Sequence, residues 1–101
     1  MKPDMKLIAE WAGYEAELVR ISDNREYVDY FTEGRSEWLG KYNPLINDAQ
    51  AFELLKELIG RQENHHRIAD LLWTIAVQIN NGQTLSEAIV NAVWAMIQEE
   101  G

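Results

Sequence analysis

His65 and His66, with Glu63 and Asp70 close by in the chain, come nearest to the residue types of a metal site. A divalent ion needs three or four ligands converging on one point. Adjacent histidines point to opposite faces of a strand or diverge by about 100° around a helix, so this pair cannot chelate one ion, and the segment reads as a polar linker. Three carboxylate pairs, Glu15 with Glu17, Glu26 with Asp29 and Glu33 with Glu37, have the chemistry of an acid and a base. That work requires a sheltered cleft with separated proton affinities, whereas these pairs sit in charged stretches that favour solvent. Ser22, Ser36 and Ser86 lack a nucleophile elbow, and Ser86 falls inside a helix cap. The six glycines are dispersed and form no phosphate-cradling loop, and the absence of cysteine removes disulfides, thiolate ligands and a thiol nucleophile together. No catalytic residue, cofactor or metal is expected.

Length and charge narrow the remaining classes. The 101 residues, 47% hydrophobic, are expected to form one domain over positions 1–101, burying roughly 60 to 70% of the unfolded surface. Net charge is −8, and only nine scattered Lys and Arg are available to neutralise phosphates, so direct nucleic-acid binding is not expected. From Ile68 to Gly101 there is no Lys or Arg, while Asp70, Glu87, Glu99 and Glu100 leave that third of the chain negative and suited to a basic protein partner. The N-terminal run MKPDMKLIAEW is interrupted by Glu10 and lacks a small-residue cleavage site, so it does not read as a signal peptide. No stretch approaches the roughly 20 apolar residues of a membrane span. A cytoplasmic protein is the expectation.

The elements that would position these residues follow from periodicity and stop signals. Asp4, then Leu7, Ile8 and Trp11, and finally Gly13 outline a short helix over about 4–12. Glu17 to Ile21 and Tyr27 to Phe31 are rich in branched and aromatic residues and flank Ser22-Asp23-Asn24-Arg25, whose Asp-Asn centre tolerates positive φ; a β-hairpin over about 17–31 is predicted. Thr32 to Trp38 reads as a loop or weak strand leading to Gly40. A second helix, about 45–59, follows Pro44 with Asn47 as cap, the stripe Phe52, Leu55, Leu58 and Ile59, and Gly60 at its end. The last helix, about 85–99, opens on a capping box of Thr84 and Glu87 and carries Leu85, Ala88, Ile89, Ala92, Val93, Met96 and Ile97 on one stripe.

Ile68 to Ile79 fits either period. As a strand it sends Trp73, Ile75, Val77 and Ile79 to one side; as a helix it gathers Arg67, Asp70, Thr74, Gln78 and Asn81 into a polar stripe. The Trp, Thr, Ile and Val after Leu72, and the Asn81-Gly82 turn, favour a strand over about 72–79. The predicted fold is α+β, a small antiparallel sheet packed by helices; the alternative is a mostly α protein with one hairpin.

Three blocks, LIAEWAGY at 7–14, YNPLINDAQAFELL at 42–55 and GQTLSEAIVNAV at 82–93, resemble the small phage and prophage proteins grouped as the phage ABA sandwich family. They cover about half of the chain. The resemblance implies an α+β domain, a phage or prophage origin and expression in bacterial cytoplasm, and it implies no reaction. The chain differs from the usual pattern in having no second turn between Gly60 and Gly82.

The expected function is therefore protein contact, as a phage accessory protein that engages and inhibits a host or defence protein, or alternatively as a self-associating accessory protein. Candidate contact residues are of two kinds. Glu26, Asp29, Glu33 and Glu37 form an acidic group that would imitate spaced phosphates toward a DNA-binding protein partner, diluted by Arg20, Arg25 and Arg35. Trp38 is a candidate aromatic anchor, and Val90 with Trp94, four residues apart and off the main stripe of the last helix, would seal a homodimer. Trp11 and Trp73 fall on predicted apolar faces and are expected in the core.

Overall fold

The computed structural model describes residues 2–100. The fold is α+β, with a three-stranded antiparallel sheet and four helices among the described residues. The chain, expected from its length to be one domain, divides into two compact units between Asn43 and Pro44.

In the first unit, Asp4 caps helix α1 (Met5–Trp11) by accepting from the Lys6 and Leu7 backbone N–H groups. Gly13, at φ +97°, turns the chain into the sheet, a conformation in which a side chain would be strained. Strands β1 (Glu15–Ser22) and β2 (Arg25–Phe31) form the predicted hairpin, in register from Glu15 opposite Phe31 to Ser22 opposite Arg25. Neither Asp23 nor Asn24 has the positive φ their residue types allow; the ladder instead takes up an irregularity between Arg20 and Ser22. The weak strand before Gly40 is the third strand, β3 (Trp38–Lys41), paired antiparallel to β2. Alternation puts Ala16, Val28 and Tyr30 on one face, and α1 packs on β1 and β2 with Ile8 and Ala9 buried.

In the second unit, Asn47 caps α2 (Asp48–Gly60) through the Gln50 N–H, as its spacing predicts. The buried residues of α2 are Ala51, Leu54 and Leu58, so its inward face is rotated from the predicted stripe and Phe52 lies exposed. Helix α4 (Leu85–Glu100) begins with the complete capping box: Glu87 N–H donates to Thr84 Oγ1 at 3.1 Å and Thr84 N–H to Glu87 Oε1 at 3.2 Å. It packs against both α2 and α3.

The predicted strand over 72–79 is instead the second half of a 16-residue helix, α3 (His65–Asn80). Length decides between the two periods: strands of this kind run four to eight residues, whereas a segment that starts further back can satisfy its backbone along its own axis. The start is Asn64, whose side chain accepts from the Arg67 N–H at 3.0 Å, a cap hidden in a stretch that reads as linker. Thr74, counted toward a strand, hydrogen-bonds back to the Asp70 carbonyl at 2.9 Å, which suits it to a helix. Gly82, at φ +101°, then lets the chain leave the helix.

The capping box generates a direct test. Thr84→Ala removes one acceptor for an orphan N–H and is expected to lower unfolding free energy by about 1 kcal/mol in urea titration with no change in slope. An unchanged midpoint would show that the cap contributes nothing.

Candidate functional site

The predicted contact residues do not converge. Along β2, Glu26 and Asp29 are an odd number of positions apart and point to opposite faces of the sheet. Arg20 donates to Glu26 across the hairpin at 3.4 Å, and Asp29 stands in register with Lys41. Glu33 lies in a 3-10 turn (Glu33–Arg35) and Glu37 just before β3, with its backbone N–H and carbonyl both engaged by Thr32. A basic neighbour thus offsets Glu26, and no single row of acids forms.

Trp38 is 60% exposed on β3 and remains available as an aromatic anchor. Val90 has no accessible surface, being part of the α4 core with Ala88, Ile89 and Val93. The off-stripe position that suggested an outer dimer face is covered because α4 is packed on two sides, by α2 and by α3. Trp94 is half-buried, and its indole nitrogen is enclosed without a hydrogen-bond partner. Neither residue of that pair offers the outward surface a dimer seam requires.

Arg35 organises the rim of the first unit. It is the non-glycine residue with positive φ, +56°, among the described residues, and its guanidinium reaches Glu15 at 3.4 Å and Glu17 at 3.3 Å. The same group lies 5.1 Å from the Phe31 ring centroid. Exposed ion pairs contribute little, about 0 to 1 kcal/mol each, so the ring contact and the two pairs together make a modest tie on the turn. An open depression of about 460 Å³ beside them is lined by Lys6, Glu10, Tyr14 and the same charged side chains, with both signs mixed.

Deeper in this unit, Tyr14, Tyr30 and Tyr42 form an aromatic cluster, with Tyr30 at 5.0 Å from Tyr14 and 4.9 Å from Tyr42. Tyr42 is 3% exposed. Burial pushes its hydroxyl well above the usual tyrosine range, and the neighbouring Tyr14 and Tyr30 add to the shift. A neutral phenol buried here has no charge to relay at ordinary pH and acts as packing.

In the second unit the polar feature missed by sequence reasoning is Ser86, which is buried and donates to Asp48 Oδ1 at 3.0 Å. This bond ties the start of α4 to the start of α2. No short-range pattern signals it, because the partners are far apart in the chain. A cleft of about 400 Å³ opens beside it, with Phe52, Leu85, Ala51 and Ile89 as apolar walls.

The largest departure from expectation is the outer side of α3. Ile75 is its buried residue, while Trp73, placed in the core by sequence, is 72% exposed, and Leu72, Val77 and Ile79 are all more than a third exposed. Contiguous apolar surface of this kind on a small protein marks a contact site more often than chance exposure. His65 and His66 are exposed near the start of the same helix. Among the described residues no group of three or more His, Cys, Asp or Glu could hold a metal, and no helix is long and apolar enough to cross a membrane.

Compared with known proteins, the chain matches no family model, no curated sequence and no solved structure.

The tyrosine cluster sets a pH dependence. In the unfolded chain Tyr42 ionises near pH 10, whereas the folded state holds the proton, so the unfolded state binds fewer protons above that pH. The contribution of Tyr42 to stability is expected to be level below about pH 10 and to fall as pH rises beyond it, and Tyr42→Phe is expected to flatten that fall. Ultraviolet titration showing all four tyrosines ionising together near pH 10 with the fold intact would contradict the burial.

Proposed function

We propose that this protein works by protein–protein contact rather than by chemistry, and that the outer side of α3 is its principal contact surface. The observation that carries this reading is the exposure of Leu72, Trp73, Val77 and Ile79 on one helix. Water-exposed tryptophan and branched side chains cost solubility, and tryptophan is the residue type most often found at the energetic centre of an interface. The net charge of −8 favours a basic partner for the polar surface around the patch.

The narrower reading is a phage or prophage accessory protein in bacterial cytoplasm that engages a host or defence protein. Its support is the three sequence blocks at 7–14, 42–55 and 82–93. The sandwich architecture that went with them depended on a strand over 72–79, and that segment is helical. Self-association is the second reading, favoured now by the α3 surface in place of Val90 and Trp94.

A photo-reactive phenylalanine analogue placed at Val77, and separately at the exposed hairpin residue Arg25, tests the reading in bacterial cells. Discrete adducts from position 77 and none from position 25 are expected. No adduct from position 77 would remove α3 as a contact surface.

A further inference from the structure

We infer that the occupant of the α3 surface is a second copy of this chain, with the two α3 helices crossing antiparallel about a two-fold axis between Thr74 and Ile75. This rests on the contact reading above and names its partner.

The helix has two apolar sides. At about 100° per residue, Ile68, Leu71, Ile75 and Gln78 share one side, the one on which Ile75 is buried and α3 meets α4. Ala69, Leu72, Trp73, Ala76 and Val77 share the other, with Asn80 among them and His65 and His66 at its N-terminal end, and all of these are exposed. Arg67, Asp70, Thr74 and Asn81 run down the remaining polar edge.

Size fits a dimer. With Ile79 at its edge, the outer side presents about 400 to 500 Å² of apolar surface. A standard interface covers about 800 Å² per partner, of which roughly 60% is apolar. The α3 surface supplies that apolar share by itself, and its polar edge supplies a rim.

Shape fits this copy in particular. A two-fold interface must be self-complementary, residue i meeting j while j meets i. With the axis between Thr74 and Ile75, Trp73 of one copy lies level with Ala76 of the other and beside its Val77, Leu72 lies beside Ala76, and Ala69 meets Asn80. Each large side chain faces a smaller one. A parallel pairing in register would set Trp73 against Trp73 and leave the alanines facing one another across a gap.

Electrostatics agree at the ends. His65, His66 and Arg67 sit in the first turn of α3, and no charged residue lies between Thr74 and Gly82. Antiparallel crossing sets the positive end of each helix dipole beside the negative end of the other's. The opposing force is the repulsion of two chains at −8 each, so dimerisation is expected to strengthen with salt, unlike capture of a basic partner.

The test uses the full chain in light scattering coupled to size exclusion over a wide concentration range. Twice the monomer mass of 11.7 kDa is expected at high concentration, more so at physiological than at low salt. Ala76→Glu is expected to weaken the dimer at least about 100-fold with an unchanged circular dichroism spectrum, a loss of roughly 2.7 kcal/mol. Ile21→Ser, which removes an exposed apolar side chain from the hairpin, is expected to leave the dimer intact. The chain has no cysteine, so single cysteines report the register. Along the axis, position 76 lies about 5 Å from its mate and position 69 about 16 Å. Oxidised glutathione should therefore join Ala76→Cys and not Ala69→Cys. A monomer at every concentration, a dimer indifferent to Ala76→Glu or one lost with Ile21→Ser would overturn the inference. A pure monomer that still gives larger adducts from position 77 in cells would overturn the dimer while leaving the contact reading in place.

Discussion

The apolar seam of α4 is the constraint from which the rest of the second unit follows. Ala88, Ile89, Val90 and Val93 have essentially no accessible surface, and a helix buried over so wide an arc must be flanked on more than one side. Helices α2 and α3 both pack against it, and the Ser86 to Asp48 hydrogen bond fixes the α2 side at its start. Once α3 has given Ile75 to that seam, its other apolar side has nowhere to go within this unit. Surplus apolar surface on α3 is a consequence of how completely α4 is enclosed.

This geometry also explains which parts of the fold could be read from the chain. Caps are local chemistry, and Asp4, Asn47 and the Thr84 and Glu87 pair behave as their spacing implies. The hairpin is legible for the same reason, since branched and aromatic residues, Leu18, Val19, Tyr27 and Val28 among them, cluster in two short runs that flank a polar turn. Residues 72–79 were not legible because α3 is apolar on two sides. A helix with a single buried stripe declares its period; one with a wide apolar arc shows stretches of alternation that mimic a strand. The polar stripe from Arg67 to Asn81 and the Asn64 cap were the signals that favoured the helix.

The contact residues were harder to read, and the reasons are tertiary. Val90 looks like an outlier on a helical projection of α4, yet it is core because a second helix covers that side. The acidic residues from Glu26 to Glu37 are close in sequence, but strand alternation and a 3-10 turn scatter them. Trp73 reads as core from its place on a predicted apolar face and is outside because Ile75 takes the inward position. Across both units the polar groups are spent on structure: Arg35 holds a turn, Tyr42 fills a core, Ser86 joins two helices. What is left over is surface, and four of the large exposed apolar residues, Leu72, Trp73, Val77 and Ile79, share one helix, while Ile21, Trp38, Ile46 and Phe52 are exposed elsewhere.

The central claim is that residues 65–80 form one helix with an apolar side turned to solvent or to a partner. Backbone Cα and Cβ chemical shifts test it most directly, because each residue reports its own conformation regardless of what it contacts. An unbroken run of helical shifts from His65 to Asn80 is the predicted result. Extended-strand shifts over 72–79 would contradict it and remove the contact surface with it.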